Sequence, residues 1–556
     1  MGLLNRKHFL GVVSIPLIAT ISFMVSKHAL SADPLTMAQQ AAAALGIPDE
    51  TDVRAPVDYG SDRRGAPKAG MKGADAESSS QIPAGGATAK VTGVFGPAVT
   101  WPINPIHMVL LPDGRVMNYG TNQSGQQTAL HYYDVWDPTL GTDISAHRVL
   151  PNTTTDDIFC SAQSVMISGD VLISGGDLTV SGRRNFARNN TDVFSPTGNT
   201  LTANTPMQYP RWYGSLVSLP DGQLAIFGGK QNTVLIAPIE PVTTPEEYNP
   251  ATKVWRSLTG ATSAAAFGAV NWYYPRAYVA PGGAIFVLGF DGTMYSVSTA
   301  GVGSISKYAI TTPRAAASLP TVPFAPGKAL SLRTNQQVVV VDFSQSLPVV
   351  TKTDSIDQVR YWASGTILAD GKVLITGGSQ VDNVLSGVAY QAQIWNPATG
   401  HWTAGASATK PRLYHSTAML LPDATVLTGG GGAPGPVNNL NAEIYYPPYL
   451  YANNGGPAAR PVITDATPLS LNPGDAINLT VGPTDTIARL NLVRTGSATH
   501  STNSDQRFIT LPFTQTAQNV TAILLSDSTV LVPGHYMLFV FNKAGVPSVA
   551  RILNVK

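Results

Sequence analysis

The sequence predicts an all-β protein: a seven-bladed β-propeller followed by an immunoglobulin-like β-sandwich. Three observations predict it. Short β-rich runs bounded by turn residues dominate after about residue 50, where apolar helical periodicity is scarce. One turn-and-strand signature recurs seven times between residues 111 and 432. From Pro461 onward strands still alternate, but the signature is gone.

Composition permits this and excludes other classes. Of 556 residues, 43% are hydrophobic and 12% charged, so a large core can form. The net charge is +1, without basic or acidic blocks. That removes the electrostatic argument for nucleic acid or an anionic membrane surface.

Residues 1–32 read as an export signal. Arg6 and Lys7 precede an apolar stretch from Phe9 to Val25, and Ala29-Leu30-Ser31-Ala32 supplies small residues for cleavage. The stretch is also at the short limit of a membrane span, so an uncleaved N-terminal anchor is the alternative. Either outcome places the chain outside the cytoplasm, as a secreted, periplasmic or cell-surface protein. Residues 33–92 mix Gly, Ala, Ser and charged residues without an apolar period, and are expected to form a low-complexity tether. Met37 to Leu45 can form one short helix.

The propeller is expected over residues 93–457. The repeated turn reads Leu111-Pro112-Asp113-Gly114-Arg115-Val116, and next Ile167-Ser168-Gly169-Asp170-Val171-Leu172. The third is Leu219-Pro220-Asp221-Gly222-Gln223-Leu224, ending at Gly228-Gly229; the fourth and fifth begin at Ala280 and Ala325. The sixth runs from Leu368 and ends at Gly377-Gly378; the seventh runs from Leu421 to the glycines 429–432. Each is a hairpin turn feeding a buried strand, and the glycine pair allows close backbone approach. Aromatic-and-proline elements such as Val135-Trp136-Asp137-Pro138 and Ile394-Trp395-Asn396-Pro397 read as outer strands. A spacing of roughly 43 to 61 residues suits a kelch-type blade of four strands. Residues 458–556 are expected to form the sandwich, with strands such as Ala476 to Val481 and Tyr536 to Phe541.

The chain has one cysteine, Cys160, in Asp156-Asp157-Ile158-Phe159-Cys160. It has no partner for an internal disulfide. It is either a small buried hydrophobe or a thiol kept for chemistry. Tyr213 precedes the third turn in Arg211-Trp212-Tyr213-Gly214-Ser215. Tyr414 and His415 precede the seventh in Arg412-Leu413-Tyr414-His415-Ser416. The matched placement puts both segments on innermost strands, at the same end of the channel. Tyr414 and His415 are neighbours, and neighbours on a regular strand face opposite ways. If both serve one site, the backbone there must be irregular. His500, in Ala498-Thr499-His500-Ser501-Thr502-Asn503, belongs to the sandwich, and must reach the axis on a loop that enters the channel. By spacing alone, the tyrosines and histidines also read as channel-lining aromatics or a solvated loop histidine.

Together these segments resemble the copper radical oxidases of the galactose oxidase and glyoxal oxidase group. The resemblance runs from about Gly93 to the C-terminus and rests on four separated motifs. They are Asp157-Ile158-Phe159-Cys160, Arg211-Trp212-Tyr213, Arg412-Leu413-Tyr414-His415-Ser416, and the run from Thr499 to Arg507. It implies one copper ion held by Tyr213, Tyr414, His415 and His500, with Tyr414 axial. It also implies a thioether between Cys160 and the Tyr213 ring that hosts a radical. Two imidazoles and phenolate oxygen form the N,O donor set that Cu(II) favours. The implied reaction is oxidation of a small aldehyde hydrate or primary alcohol, with O2 reduced to H2O2 and Tyr414 as general base. A monomer is expected.

Two departures qualify the resemblance. In galactose oxidase a tryptophan just after the blade's glycine pair stacks on the cross-linked tyrosine. Here Lys230-Gln231-Asn232 follow Gly228-Gly229, and Trp272 is a candidate substitute. Arg276 falls near where sugar-oxidising members carry a substrate-binding arginine. The fourth and fifth repeats are short, which favours a small aldehyde, glyoxal or a glycolaldehyde-type compound, over galactose. The competing readings are a non-catalytic extracellular kelch propeller that binds glycans or proteins, and an ordinary copper protein without a radical.

Overall fold

The computed structural model describes residues 82–180, 183–231 and 239–556. The expected export signal and the helix at Met37 to Leu45 lie outside the described residues.

Seven antiparallel sheets follow one another along the chain. Their innermost strands are His107–Leu110, Ala162–Val165, Trp212–Ser218, Arg276–Val279, Thr321–Ala325, Ser364–Ile367 and Ser416–Leu420. In the second to sixth sheets four strands hydrogen-bond in sequence order, giving four-stranded blades. The last innermost strand adjoins the first. The N-terminal strands Val94–Phe95 and Val99–Thr100 pair with Asn441–Tyr446 and complete the seventh blade's outer edge. The inner and second strands are buried along their length, as Val171–Ser174 and Leu224–Lys230 illustrate. Their Val, Ile and Leu content suits that setting.

All seven repeated turns join the first strand of a blade to its second. In the third, Leu219 N–H donates to Gln223 O at 2.8 Å and Gly222 N–H to Leu219 O at 3.0 Å. Gly222 sits at φ +81°, which explains the glycine there. The seventh turn keeps the same bonds with Ala424 at φ +68°, a non-glycine forced left-handed.

Of the expected tether, residues 33–81 lie outside the described residues, and residues 82–92 are seated on the propeller. Gly85 N–H donates to Gly455 O at 2.9 Å, and a helical turn, Ala89–Thr92, buries Ala89 in the propeller core. Residues 82–92 lack an apolar period because a few small side chains and backbone bonds seat them.

The C-terminal unit is a sandwich. One sheet holds Ile463–Thr467, Ala476–Val481, Asn519–Ile523 and Phe513–Thr516; the other centres on Ile487–Arg494 and Gly534–Asn542. Leu479, Leu490, Leu492, Val520, Leu538 and Val540 fill its core. One hairpin leaves it. Ser497–Thr499 pairs antiparallel with the first blade's innermost strand, His107 opposite Thr499, and so becomes a strand beside the propeller axis.

Candidate metal centre

Left-handed backbone marks this centre. Cys160, Tyr213, His415 and His500 have φ of +55°, +68°, +68° and +47°. Such angles are costly for non-glycine residues and tend to cluster where geometry serves function. At Tyr414 and His415 the strand has not yet begun: it starts at Ser416, after a turn closed by Ser416 N–H to Leu413 O at 2.9 Å. This irregular backbone is what neighbouring residues need in order to face one site. His500 occupies the tip of the hairpin that enters the channel.

Local bonding holds the segments together. Tyr213 N–H donates to Cys160 O at 3.1 Å, and Tyr274 N–H donates to Tyr213 O at 2.8 Å. The Asp157 carboxylate pins the Cys160 loop by accepting from Ala129 N–H at 2.7 Å and Phe159 N–H at 3.2 Å, and pairs with Arg184 at 2.7 Å. Two arginines act as matched anchors. Arg211, fully buried, pairs with Glu246 at 2.9 Å and donates to Gly228 O. Arg412 pairs with Glu443 at 3.0 Å and donates to Gly430 O. Each lies two residues before a site tyrosine, so each fixes the backbone from which that tyrosine projects.

The geometry brings all five expected site residues into one buried cluster. Tyr213 Oη and Tyr414 Oη are 2.9 Å apart. The Tyr414 and His415 rings stack at 3.7 Å, and the His415 and His500 rings meet edge to face at 4.5 Å. The donor atoms of Cys160, His415 and His500 lie within 4.8 Å of one another, with Cys160 Sγ 3.5 Å from His500 Nε2.

The histidine tautomers fit a metal. His415 Nδ1 lies 2.7 Å from Gly432 O, and a carbonyl only accepts, so Nδ1 carries the proton and Nε2 the lone pair. Thr499 donates its single hydroxyl proton to Ile106 O at 3.0 Å. Toward His500 Nδ1 that hydroxyl must accept, so His500 carries its proton on Nδ1 and its lone pair on Nε2. Burial, then His415, pushes the His500 pKa well below the usual value, which keeps the imidazole neutral. A carbonyl or hydroxyl orienting the far nitrogen of a ligating histidine is the usual second support of such sites. The residues therefore fit copper: two neutral imidazole nitrogens and two phenol oxygens, out of water.

Sequence reasoning missed several neighbours. Trp212 lies nearly flat on Tyr213, centroids 4.4 Å apart and planes at 26°. Tyr273 packs against the same ring at 4.6 Å, whereas Trp272 stands off at 6.0 Å and 49°. The aromatic cover of Tyr213 thus comes from its own chain neighbour. Trp362 meets Tyr414 edge to face at 4.4 Å. His107, stacked on Tyr119 at 4.4 Å, lies 5.6 Å from His500, and burial drives its pKa down to about 3. Arg276 is a correction. Its guanidinium donates to Tyr274 O and Ala317 O, both at 2.8 Å, and the residue is 1% exposed. One end of its fork is spent on the segment that carries Tyr273 and Tyr274 and the other on Ala317 O, so neither terminal nitrogen is turned to an open space.

Comparison with known proteins places this arrangement. Residues 460–555 match the family described as Galactose oxidase-like, Early set domain. A galactose oxidase of Gibberella zeae is 28% identical over 498 residues, covering 83% of this chain and 70% of the relative. An aldehyde oxidase GLOX of Vitis pseudoreticulata is 26% identical, covering 75% of this chain and 87% of the relative. A solved fungal alcohol oxidase of the AA5 family, in complex with copper, superposes with a TM-score of 0.73 at 25% identity, over 84% of this chain and all of that one. Over most of its length the chain is similar to oxidases of the galactose oxidase and glyoxal oxidase group, and these likenesses support a copper radical oxidase.

Proposed function

We propose that the protein oxidises a small aldehyde hydrate or primary alcohol with O2, through copper and a radical on a thioether-linked Cys160–Tyr213 pair. The observation that carries this reading is the pair of phenol oxygens 2.9 Å apart, beside two histidines whose Nε2 atoms carry the lone pair. Tyr213, Tyr414, His415 and His500 would hold the metal. Copper bound there supplies a Lewis-acid position for the substrate oxygen and one of two oxidising equivalents.

The remaining chemistry belongs to the chain. The Tyr414 phenolate accepts the substrate hydroxyl proton. The Tyr213 phenoxyl takes a hydrogen atom from the adjacent carbon, and the Cys160 sulfur, donating into the ring, makes that phenoxyl easier to form. The left-handed turns at Cys160 and Tyr213 hold sulfur and ring in one buried cluster. Burial of Tyr213, Tyr414 and His500 keeps bulk water from the radical. Over a full cycle two electrons and two protons leave the alcohol and arrive on O2, giving aldehyde and H2O2.

A small aldehyde remains the better substrate class, because the one arginine expected to grip a sugar is committed to carbonyls. Export by residues 1–32 belongs to the same proposal, and rests on Arg6, Lys7 and the apolar run that follows. N-terminal sequencing of the mature protein tests that part.

Peptide mass analysis of copper-loaded protein tests the rest. Joined Cys160 and Tyr213 peptides, lighter by two hydrogens, are expected. Separate peptides under every loading condition would leave the binding-module reading. Unchanged peroxide output from Cys160→Ala would favour a copper site without a radical.

A further inference from the structure

Lys230 is buried at 0% exposure, and its Nζ stands 4.1 Å from the centroid of the Trp212 ring. Strand pairing places it there. Trp212 and Lys230 are direct cross-strand partners in the third blade, with Gly214 opposite Gly228 one step along. The near-flat contact at 4.4 Å gives one face of the indole to Tyr213. Two groups this close cannot share a face, so the ammonium lies over the other. A stack of three results: ammonium, indole, phenol. The first residue after the strand's glycines is thus a cation behind the aromatic cover, not the cover itself.

Burying an ammonium is costly, and an indole face recovers only part of that cost. A charge held so near a redox-active phenol acts on its two states unequally. The phenolate is negative and the phenoxyl neutral. A fixed cation in a low-dielectric setting favours the phenolate.

The geometry points to Lys230 as a positioning and tuning residue: acting through Trp212, it raises the potential at which Tyr213 is oxidised to its radical. This rests on the copper radical oxidase reading. In the step concerned the Tyr213 phenolate gives one electron to an oxidant, O2 in turnover or ferricyanide in a titration. No bond is made or broken and no proton moves.

Redox titration of the copper-loaded protein against ferricyanide and ferrocyanide tests it, with the radical followed by its optical absorption. Lys230→Met and Lys230→Gln are both expected to lower the midpoint potential. At a fixed ferricyanide ratio the radical-to-reduced ratio should rise about tenfold. Lys230→Arg keeps the charge over the indole and should titrate like the natural protein. A midpoint unmoved in the neutral variants, at full copper and full cross-link, overturns the inference. So does loss of folded protein in both neutral variants, since Lys230 would then be a structural cation. Absence of any radical signal in the natural protein would instead sink the oxidase reading itself.

Discussion

The hydroxyl oxygens of Tyr213 and Tyr414 sit 2.9 Å apart although the residues are 201 positions apart in the chain. Both are buried, and either hydroxyl can donate the bond that joins them. The pairing separates two roles. One phenol loses an electron, the other accepts a proton, and each needs the other near the same substrate oxygen. Tyr414→Phe keeps the ring packed on His415 and against Trp362, and removes only the oxygen. Turnover should fall about 10²- to 10⁴-fold, the span general bases contribute. The Cys160–Tyr213 cross-link should still form, since Tyr414 takes no part in joining sulfur to ring. Steady-state peroxide assays with peptide mass on the same sample check both.

Thr499 decides which nitrogen of His500 faces the site. Its hydroxyl proton goes to Ile106 O, so it orients His500 as an acceptor. Thr499→Val keeps the shape and removes that acceptor. Copper affinity should drop about 10- to 100-fold, as for other residues that orient a ligating histidine. Thr499→Ser should keep most of it. Chelator competition on the two variants checks the difference.

Local features were legible in the sequence, and contacts set by unusual backbone were not. The repeated turns and glycine pairs could be read because a tight turn constrains its own residue types, and every turn joins first strand to second as expected. The cluster of Cys160, Tyr213, Tyr414, His415 and His500 could be read from ordered motifs. The cover of Tyr213 could not. Adjacent residues on a regular strand point to opposite faces, so Trp212 is a poor guess as a stacking partner for Tyr213. Only the left-handed angle at Tyr213 lays the rings together. Arg276 misled because a basic residue's position along the chain says nothing about which carbonyls it will meet.

The Arg211–Glu246 pair is a structural demand hidden behind the site. Arg211 also donates to Gly228 O and Thr244 O, both at 2.6 Å, and Glu246 accepts from Gln208 N–H. Arg211→Met strands a carboxylate and two carbonyls in the interior. Removing one partner of a buried pair costs about 3–5 kcal/mol. Denaturant unfolding of the copper-free protein should show that loss. Adding Glu246→Leu should recover part of it, because the stranded charge then goes too.

Asp192 gives the propeller a pH dependence of definite sign. Its carboxyl is buried in the second blade's third strand, and burial first, then the nearby Asp156 carboxylate, pushes its pKa up to about 7. Arg188 and Thr154 oppose this without cancelling it. An acid with a raised folded pKa binds its proton more tightly folded than unfolded. Its contribution is therefore full below about pH 4, the ordinary carboxylate value, and is lost as pH climbs through about 7. Asp177, also raised to about 7 by burial and the Asp157 carboxylate, has the same sign. Asp192→Asn removes the Asp192 share. Its melting temperature should fall less between pH 4 and 8 than that of the natural protein, and should exceed it at pH 8 by a few degrees. Equal slopes for the two proteins would mean that Asp192 titrates near the ordinary carboxylate value in the folded state.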